Sequence, residues 1–232
     1  MAGLPIVFIP GLLTTGRIYQ HQADHLGRAH PVLLADHWTG SSMGEIADSI
    51  LALMPETFAL VGTSMGGYVA FEIMRRAPQR VAKLALLSTT AHPDAPDRSA
   101  QRRQQLAWTR EHGVRAGTKG LWNILVHPAR REDHALLNVF YEMSEELGIE
   151  AFARQTEAII GRADSRPLLA EIKVPTLVIA GADDHLLPPS NSVEIAAGIP
   201  GAHLETIAHC GHMGVIEMPE TYTKLLGDFL AS

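Results

Sequence analysis

A serine flanked by glycines is the feature of this sequence best suited to covalent chemistry. Gly62, Ser64 and Gly66 fit the pattern G-x-S-x-G. The pattern follows a short apolar run, Phe58–Val61, and precedes a helix-compatible run, Tyr68–Arg76. Small residues on both sides of a serine permit a tight strand-to-helix bend, because a Cβ atom there would clash. Such a bend exposes the hydroxyl at the positive end of the helix, where negative charge is stabilised, and so predicts a nucleophile.

Candidates for the base and the acid that such a serine needs occur in the C-terminal third. A Leu- and Val-rich run ends at Gly181 and is followed by two carboxylates, Asp183 and Asp184. A second strand-like stretch precedes the loop that holds His212. His212 could remove the serine proton as a general base, and either aspartate could hold the imidazole in the required tautomer. The order serine, acid, histidine differs from the orders of chymotrypsin-like and subtilisin-like proteases.

Four segments make the sequence similar to the α/β-hydrolase superfamily, and in pattern to its small esterases, lactonases and carbon–carbon bond hydrolases. They run from near the N-terminus to near the C-terminus and comprise Phe8–Leu13, Gly62–Gly66, Gly181–Pro188, and Gly211-His212 with Glu217–Glu220. The resemblance implies an α/β fold with a mostly parallel central sheet, flanked by helices, and a helical cap insertion. It also implies a serine hydrolase that works without a cofactor.

The resemblance assigns roles to individual residues. Ser64, at the nucleophile elbow, would attack the substrate, and His212 would act as general base. In the family pattern the acid tends to be the third residue after the glycine, which here is Gly181, and this favours Asp184 over Asp183. Asp183 would then satisfy N–H groups within the turn. The predicted catalytic triad is therefore Ser64, Asp184 and His212.

The resemblance also implies an oxyanion hole made of two backbone N–H groups. One belongs to Met65, the residue after the nucleophile. The other belongs to Leu12, in the loop after the first strand. Pro10-Gly11 occupies the place where many relatives have His-Gly.

Short apolar runs alternate with helix-like runs along most of the chain, which is typical of a parallel sheet covered on both faces. The predicted strands are Leu4–Ile9, Val32–Ala35, Phe58–Val61, Leu84–Ser88, Thr176–Ala180 and His203–Ala208. Only helical patterns occur between residues 92 and 167, including a run at 132–147 and another at 149–160. We therefore expect a core of residues 1–91 and 168–232, with a helical cap of residues 92–167.

Four aromatic residues are candidates for the wall of the substrate pocket. Trp38 follows the second predicted strand, and Trp108, Trp122 and Phe140 lie in the helical insertion. Such side chains can line an apolar acyl pocket, but they also hold helices together. We expect the insertion to roof the site, because ligand sites favour junctions of this kind.

Composition limits the classes of partner. The chain has 232 residues, 46% of them hydrophobic, with a net charge of −6 and no basic stripe, which argues against nucleic acid. The single cysteine cannot form an internal disulfide, which argues for a reducing compartment or for indifference to redox, and we expect the cytoplasm. No stretch approaches the roughly 18 apolar residues of a membrane span. The apolar N-terminal run is expected to be the first strand rather than a signal peptide.

Two clusters have spacings that resemble those of metal ligands, but we expect no metal. His21 and His25 lie four residues apart on a predicted helix, without a third ligand nearby in the sequence. His209, Cys210 and His212 are close in the sequence. His212 already has a predicted role, however, and structural zinc normally takes four ligands.

These features predict a carboxylesterase-type enzyme that cleaves an ester, lactone or thioester of a small, partly apolar substrate through an acyl-enzyme. Carbon–carbon bond hydrolysis and acyl transfer use the same triad and stay open. A non-catalytic small-molecule receptor is the alternative from another class, and the complete triad argues against it. A dehalogenase of this superfamily would have aspartate in place of Ser64.

Overall fold

The sheet that the sequence predicts is present. The computed structural model describes residues 3–232, so Met1 and Ala2, which belong to the predicted core segment, lie outside the described residues. Within these residues six strands form one sheet in the order β2-β1-β3-β4-β5-β6, and every pairing is parallel. The strands are β1 Ile6–Ile9, β2 Val32–Leu34, β3 Phe58–Thr63, β4 Val81–Leu87, β5 Thr176–Gly181 and β6 His203–Ile207. The predicted α/β class is confirmed.

Helices connect the strands and cover both faces of the sheet. They are α1 Gln20–Leu26, α2 Met43–Leu53, α3 Met65–Arg76, α4 Pro96–His112, α5 Val114–Leu125, α6 His134–Ile160, α7 Arg166–Leu169, α8 Ser190–Gly198, α9 Gly214–Glu217 and α10 Pro219–Ala231. Short 3-10 turns lie at Gly16–Tyr19, Pro78–Arg80 and Pro128–Arg130. No helix within residues 3–232 is both long and apolar enough to cross a membrane.

Burial on both faces explains why the central strands β1, β3 and β5 are apolar without alternation. Ile6 and Phe8 of β1 belong to one buried cluster, and Val7 and Ile9 belong to a second. Successive side chains of a strand point to opposite faces, so each cluster lies on its own side of the sheet. A strand buried in this way needs apolar residues at every position.

The strand order places a crevice at the end of β1. The chain runs from β1 to its neighbour β2 on one side, and β3 then pairs with the opposite side of β1. Loops leaving the carboxyl ends of β1 and β3 therefore diverge, and ligands of parallel sheets bind at such a switch point. Gly11 follows β1 here, and Ser64 follows β3.

The segment predicted as a cap is helical. Helices α4, α5 and α6 lie between β4 and β5 and pack against one another. Helix α6 is interrupted at Gly148, whose φ of 73° and ψ of −179° are not helical, in agreement with the two helical runs expected on either side of residue 148. The limits of the cap, 92–167, stay a prediction.

Candidate active site

Ser64 occupies a strained bend between β3 and α3. Its φ of 53° and ψ of −114° lie outside the regions that residues with a Cβ atom usually adopt. Gly66 makes the bend possible, because a Cβ atom there would lie 2.0 Å from the carbonyl oxygen of Ile9. Strain of this kind is held by its surroundings and is concentrated at functional sites.

The structure brings the three predicted triad residues together. Ser64 Oγ lies 2.9 Å from Nε2 of His212, and Nδ1 of His212 lies 2.7 Å from Oδ2 of Asp184. Ser64 is 8% exposed, and His212 and Asp184 are each 3% exposed, so little water competes for these hydrogen bonds. A carboxylate only accepts, so Nδ1–H donates to Asp184 and Nε2 can accept the serine proton.

The two neighbouring aspartates have different partners. Oδ1 of Asp184 accepts the backbone N–H groups of Leu186 at 2.9 Å and Leu187 at 2.8 Å, while Oδ2 faces His212. The side chain of Asp183 is 40% exposed, and its Oδ2 lies 3.7 Å from Nε2 of His127. The geometry therefore places Asp184, rather than Asp183, behind the imidazole.

The acid loop and the histidine loop meet in a close backbone contact. A Cβ atom at Gly181 would lie 2.2 Å from the carbonyl oxygen of Gly211. The buried carboxylate of Glu217 accepts the N–H of Gly211 at 3.3 Å and the N–H of His127 at 2.7 Å. Burial raises the pKa of Glu217, against the effect of these N–H donors. Glu217 thus positions the loop of His212, a role that sequence reasoning missed although the residue belongs to a segment that carried the resemblance.

Two unpaired backbone donors border the serine. Within residues 3–232, neither the N–H of Leu12 nor the N–H of Met65 has a protein acceptor. A Cβ atom at Gly11 would lie 3.4 Å from Cβ of Ser64, so the loop after β1 runs against the serine. Fixed N–H groups at this place could stabilise negative charge on a substrate oxygen.

A buried polar network holds the loop after β1, and no local sequence pattern indicates it. Oε1 of Gln155, on α6, accepts the N–H of Leu13 at 3.1 Å. Nε2 of His37 lies 2.8 Å from the carbonyl oxygen of Gly11 and 3.1 Å from the amide nitrogen of Gln155. Both side chains are fully buried. Residues from the loop after β2 and from the helical insertion therefore support the loop that carries the Leu12 N–H.

Burial of His37 should make the protein less stable in mild acid. Burial lowers the pKa of His37 from 6.5 to about 4, against the opposing hydrogen bond to Gly11. A group whose pKa is lower in the folded than in the unfolded protein contributes stability above its unfolded-state pKa. This stability is lost as the pH falls toward the pKa of the folded state. Between pH 7 and pH 5 we expect the free energy of unfolding to fall by on the order of 2 kcal/mol through this residue.

Urea unfolding at both pH values checks this expectation. In His37→Gln the pH dependence should shrink by about that amount, while replacing the exposed His134 by glutamine should leave it unchanged. An equal pH dependence in wild type and His37→Gln would contradict the assignment.

A cavity of about 600 Å³ opens beside the serine and the histidine. Phe140 lines it, together with Leu121, Leu125 and Met213. The other three predicted pocket residues are not among its lining residues within the described chain. Trp38 is half-buried, and its carbonyl oxygen accepts a hydrogen bond from Arg154. Trp108 is 46% exposed and stacks on His112. Trp122 is buried and donates to the carbonyl oxygen of Arg131. Helix packing decides these positions, and sequence pattern does not reveal it.

The fold does not gather His209, Cys210 and His212 into one cluster of metal ligands. Cys210 is buried with Sγ 3.9 Å from the hydroxyl of Tyr222, and burial raises its pKa to about 12, so it stays a thiol. His209 lies instead near His127 and Asp183, with one ligand atom of each within 4.8 Å of the others. Those three could approach a cation. His21 and His25 stack on each other with ring centroids 4.3 Å apart.

Comparison with known proteins now places this geometry in a family. Residues 6–225 match the model of the alpha/beta hydrolase family. The chain belongs to the alpha/beta hydrolase family. The match spans all six strands and all three residues of the hydrogen-bonded chain, so the expected resemblance is confirmed for the fold as a whole.

Similar members of the family are hydrolases by name. RutD of Azorhizobium caulinodans, provisionally named a carbamate hydrolase, is 29% identical over 98% of this chain and 91% of its own. A 2-hydroxy-6-oxononadienedioate/2-hydroxy-6-oxononatrienedioate hydrolase of Paraburkholderia xenovorans is 30% identical over 78% of this chain and 64% of its own. The solved structure of a thermophilic esterase from Thermogutta terrifontis has a TM-score of 0.91 at 26% identity and covers 99% of this chain and 90% of that one.

Proposed function

We propose that this alpha/beta hydrolase is a serine esterase that cleaves a carboxylic ester, lactone or thioester of a small, partly apolar substrate through an acyl-enzyme. The observation that carries the proposal is the hydrogen-bonded chain from Asp184 through His212 to Ser64, with separations of 2.7 and 2.9 Å. The series of hydrogen bonds ends at a cavity beside the N–H groups of Leu12 and Met65, which have no protein acceptor within residues 3–232. The esterase from Thermogutta terrifontis supports the same reaction class.

In this mechanism Ser64 Oγ attacks the substrate carbonyl carbon while Nε2 of His212 accepts the hydroxyl proton. The electron pair of the carbonyl moves to its oxygen, and the N–H groups of Leu12 and Met65 stabilise the resulting oxyanion. The bond to the leaving group then breaks, and His212 returns the proton to the departing alcohol, or to the thiol of a thioester. Asp184 stabilises the imidazolium that forms between these two steps.

Water releases the acid in the second half of the reaction. His212 accepts a proton from water as the water oxygen attacks the acyl carbon of acylated Ser64. The tetrahedral intermediate collapses, Ser64 leaves, and the proton returns to its oxygen. The helices at 92–167 act as a cap that limits access of bulk water, since several of their residues line the cavity.

Carbon–carbon bond hydrolysis is the second candidate. It is favoured by the relative from Paraburkholderia xenovorans, which is 30% identical to this chain. The same serine and histidine would serve, and the proton that His212 takes from Ser64 would pass to the carbon leaving group as its bond to the carbonyl carbon breaks. Only the reaction itself separates the two candidates.

A panel of substrates with active-site labelling tests the proposal. We expect turnover of short-chain methyl and p-nitrophenyl esters, and stoichiometric modification by a fluorophosphonate that peptide mapping assigns to Ser64. Turnover of a vinylogous 1,5-diketone without turnover of esters would select carbon–carbon hydrolysis. Small-molecule binding without any turnover or labelling would select a receptor and overturn the proposal.

A further inference from the structure

The cavity has one strongly basic wall. Helix α4 contributes Arg98, Gln101, Arg102 and Gln105 to the cavity lining. These residues are spaced by three, one and three positions, so they share one face of the helix. A cap helix that only packed on an apolar core would present apolar residues there. This face instead presents charge and amide groups to the space above the serine.

Arg162, at the end of the insertion, extends the same wall. Its guanidinium lies over the ring of Tyr68, with Cζ 4.5 Å from the ring centroid. Tyr68 is four residues after Ser64, one helical turn along α3. The side chain of Arg162 is 7% exposed and donates to the carbonyl oxygen of His92 at 2.9 Å. The positive charge is therefore held in place, and Arg162 lines the same cavity as Ser64.

One carboxylate compensates only part of this charge. Asp94, with a side chain 2% exposed, bonds Nη1 of Arg162 at 2.8 Å and Nε of Arg102 at 3.2 Å. Burial disfavours the charged form of Asp94. Hydrogen bonds from Ser99 and Arg162, together with the charges of both arginines, outweigh burial and lower its pKa. Asp94 is therefore ionised at neutral pH. Arg98 has no hydrogen bond or ion pair with any residue in the described range 3–232.

Arginines outnumber carboxylates among the residues that line the cavity. Three guanidinium groups face one carboxylate, which leaves a formal excess of two positive charges among the arginines and aspartate of the cavity. Glu194 and Asp184 are not lining residues, and they pair with the lining histidines, Glu194 with His92 at 2.6 Å and Asp184 with His212 at 2.7 Å. The whole chain has a net charge of −6, so this local excess is opposite in sign to the protein around it. An anionic ligand in the cavity could therefore pair with guanidinium donors that Asp94 does not occupy.

We propose that the cavity binds substrates whose far end carries a carboxylate, which Arg98, Arg102 and Arg162 recognise while the acyl carbon lies at Ser64. The guanidinium fork pairs with a carboxylate through two parallel hydrogen bonds, which makes arginine the suitable residue for this task. The apolar part of the cavity, with Leu121, Leu125 and Phe140, would take the chain between the two ends. The inference rests on the proposed esterase function and names its substrate class, half-esters of dicarboxylic acids.

The test compares half-esters with neutral esters of equal length. Monomethyl esters of C4 to C10 dicarboxylic acids are matched with methyl esters of the corresponding monocarboxylic acids, and methanol release gives kcat/KM for each. We expect a preference of at least about tenfold for the best half-ester at low salt, falling as ionic strength approaches about 0.5 M because exposed charges are then screened. Equal or lower kcat/KM for the half-esters would overturn the inference.

Variants on one helix separate recognition from a general charge effect. Arg98→Gln removes an exposed arginine that has no partner within residues 3–232, and it should lower the preference several-fold. The double variant Arg98→Gln with Arg102→Gln should remove the preference. Arg103→Gln is the matched control. Arg103 follows Arg102 on α4, pairs with Glu157 at 3.2 Å, and is not a lining residue of the cavity. A loss of preference in Arg103→Gln equal to that in Arg98→Gln would also overturn the inference.

Binding to an inactive variant keeps the inference distinct from the proposed function. In Ser64→Ala, calorimetry should detect the half-ester with an affinity at least about tenfold above that of the neutral ester. If this preference is seen while the wild type hydrolyses neither ester, the proposed function fails and the anion site stands. If the wild type hydrolyses neutral esters and Ser64→Ala shows no preference, the anion site fails and the proposed function stands.

Discussion

Ser64→Ala is expected to lower kcat for ester hydrolysis by about 10⁶-fold, since removal of a triad serine leaves only the oxyanion donors and substrate binding. The hydroxyl is the atom that would form the acyl bond, and no neighbouring side chain can replace it at 2.9 Å from Nε2 of His212. Alanine keeps the Cβ atom, so the strained bend with φ 53° should persist. Single-turnover kinetics on a p-nitrophenyl ester, with fluorophosphonate labelling, measure the loss.

A second buried serine provides the control for this experiment. Ser88 follows β4 at the same edge of the sheet, is 2% exposed and has a positive φ of 44°. Ser88→Ala removes the same hydroxyl from a similar environment outside the hydrogen-bonded chain and should keep activity within about tenfold of wild type. Retained labelling and turnover in Ser64→Ala would refute the assignment of the nucleophile.

Asp184→Asn is expected to lower kcat by about 10⁴-fold, while Asp183→Asn should lower it far less. The introduced asparagine could present its amide N–H to Nδ1 of His212, and the imidazole would then hold its proton on Nε2, where it cannot accept from the serine. The imidazolium would also lose its compensating charge. The two N–H groups that Asp184 accepts, from Leu186 and Leu187, could still bond to the amide oxygen, so the loop should stay folded.

The paired variants separate catalysis from loop stability. Asp183 and Asp184 lie on the same turn, but Asp183 faces His127 at 3.7 Å and is partly exposed. Rates of acylation by a chromogenic ester, together with melting temperatures, should show a large kinetic difference and similar stability. A greater loss of rate in Asp183→Asn would assign the acid to the preceding residue.

Local sequence patterns predicted the fold because the sheet imposes a strong local signal. A central parallel strand must be apolar on both faces, and this property indicated the four central strands. The two edge strands, β2 and β6, were also predicted to within a few residues. The largest error in a predicted boundary is at β4, which starts at Val81, three residues before the expected Leu84. Lys83 and a 3-10 turn at Pro78–Arg80 interrupt the apolar pattern there, although the backbone is already paired.

The same local patterns could not predict long-range packing. The hydrogen bond between the N–H of Leu13 and Gln155 joins residues 142 positions apart, and Gln155 belongs to no motif. Trp108 and Trp122 looked suited to a pocket by type alone, but the orientation of each helix decides which face meets the cavity. The arginines that line the cavity were missed for the same reason. In sequence, a charged helix face that lines a cavity cannot be distinguished from one that is exposed to solvent.

The sequence alone determined which groups could react, because a tight bend at Ser64 and the loops after the strands impose residue types that are visible locally. Only the tertiary structure decided that Asp184 rather than Asp183 faces His212, and that the arginines of α4 face the cavity. Both choices depend on the direction in which a side chain leaves the backbone, and packing between distant segments sets that direction.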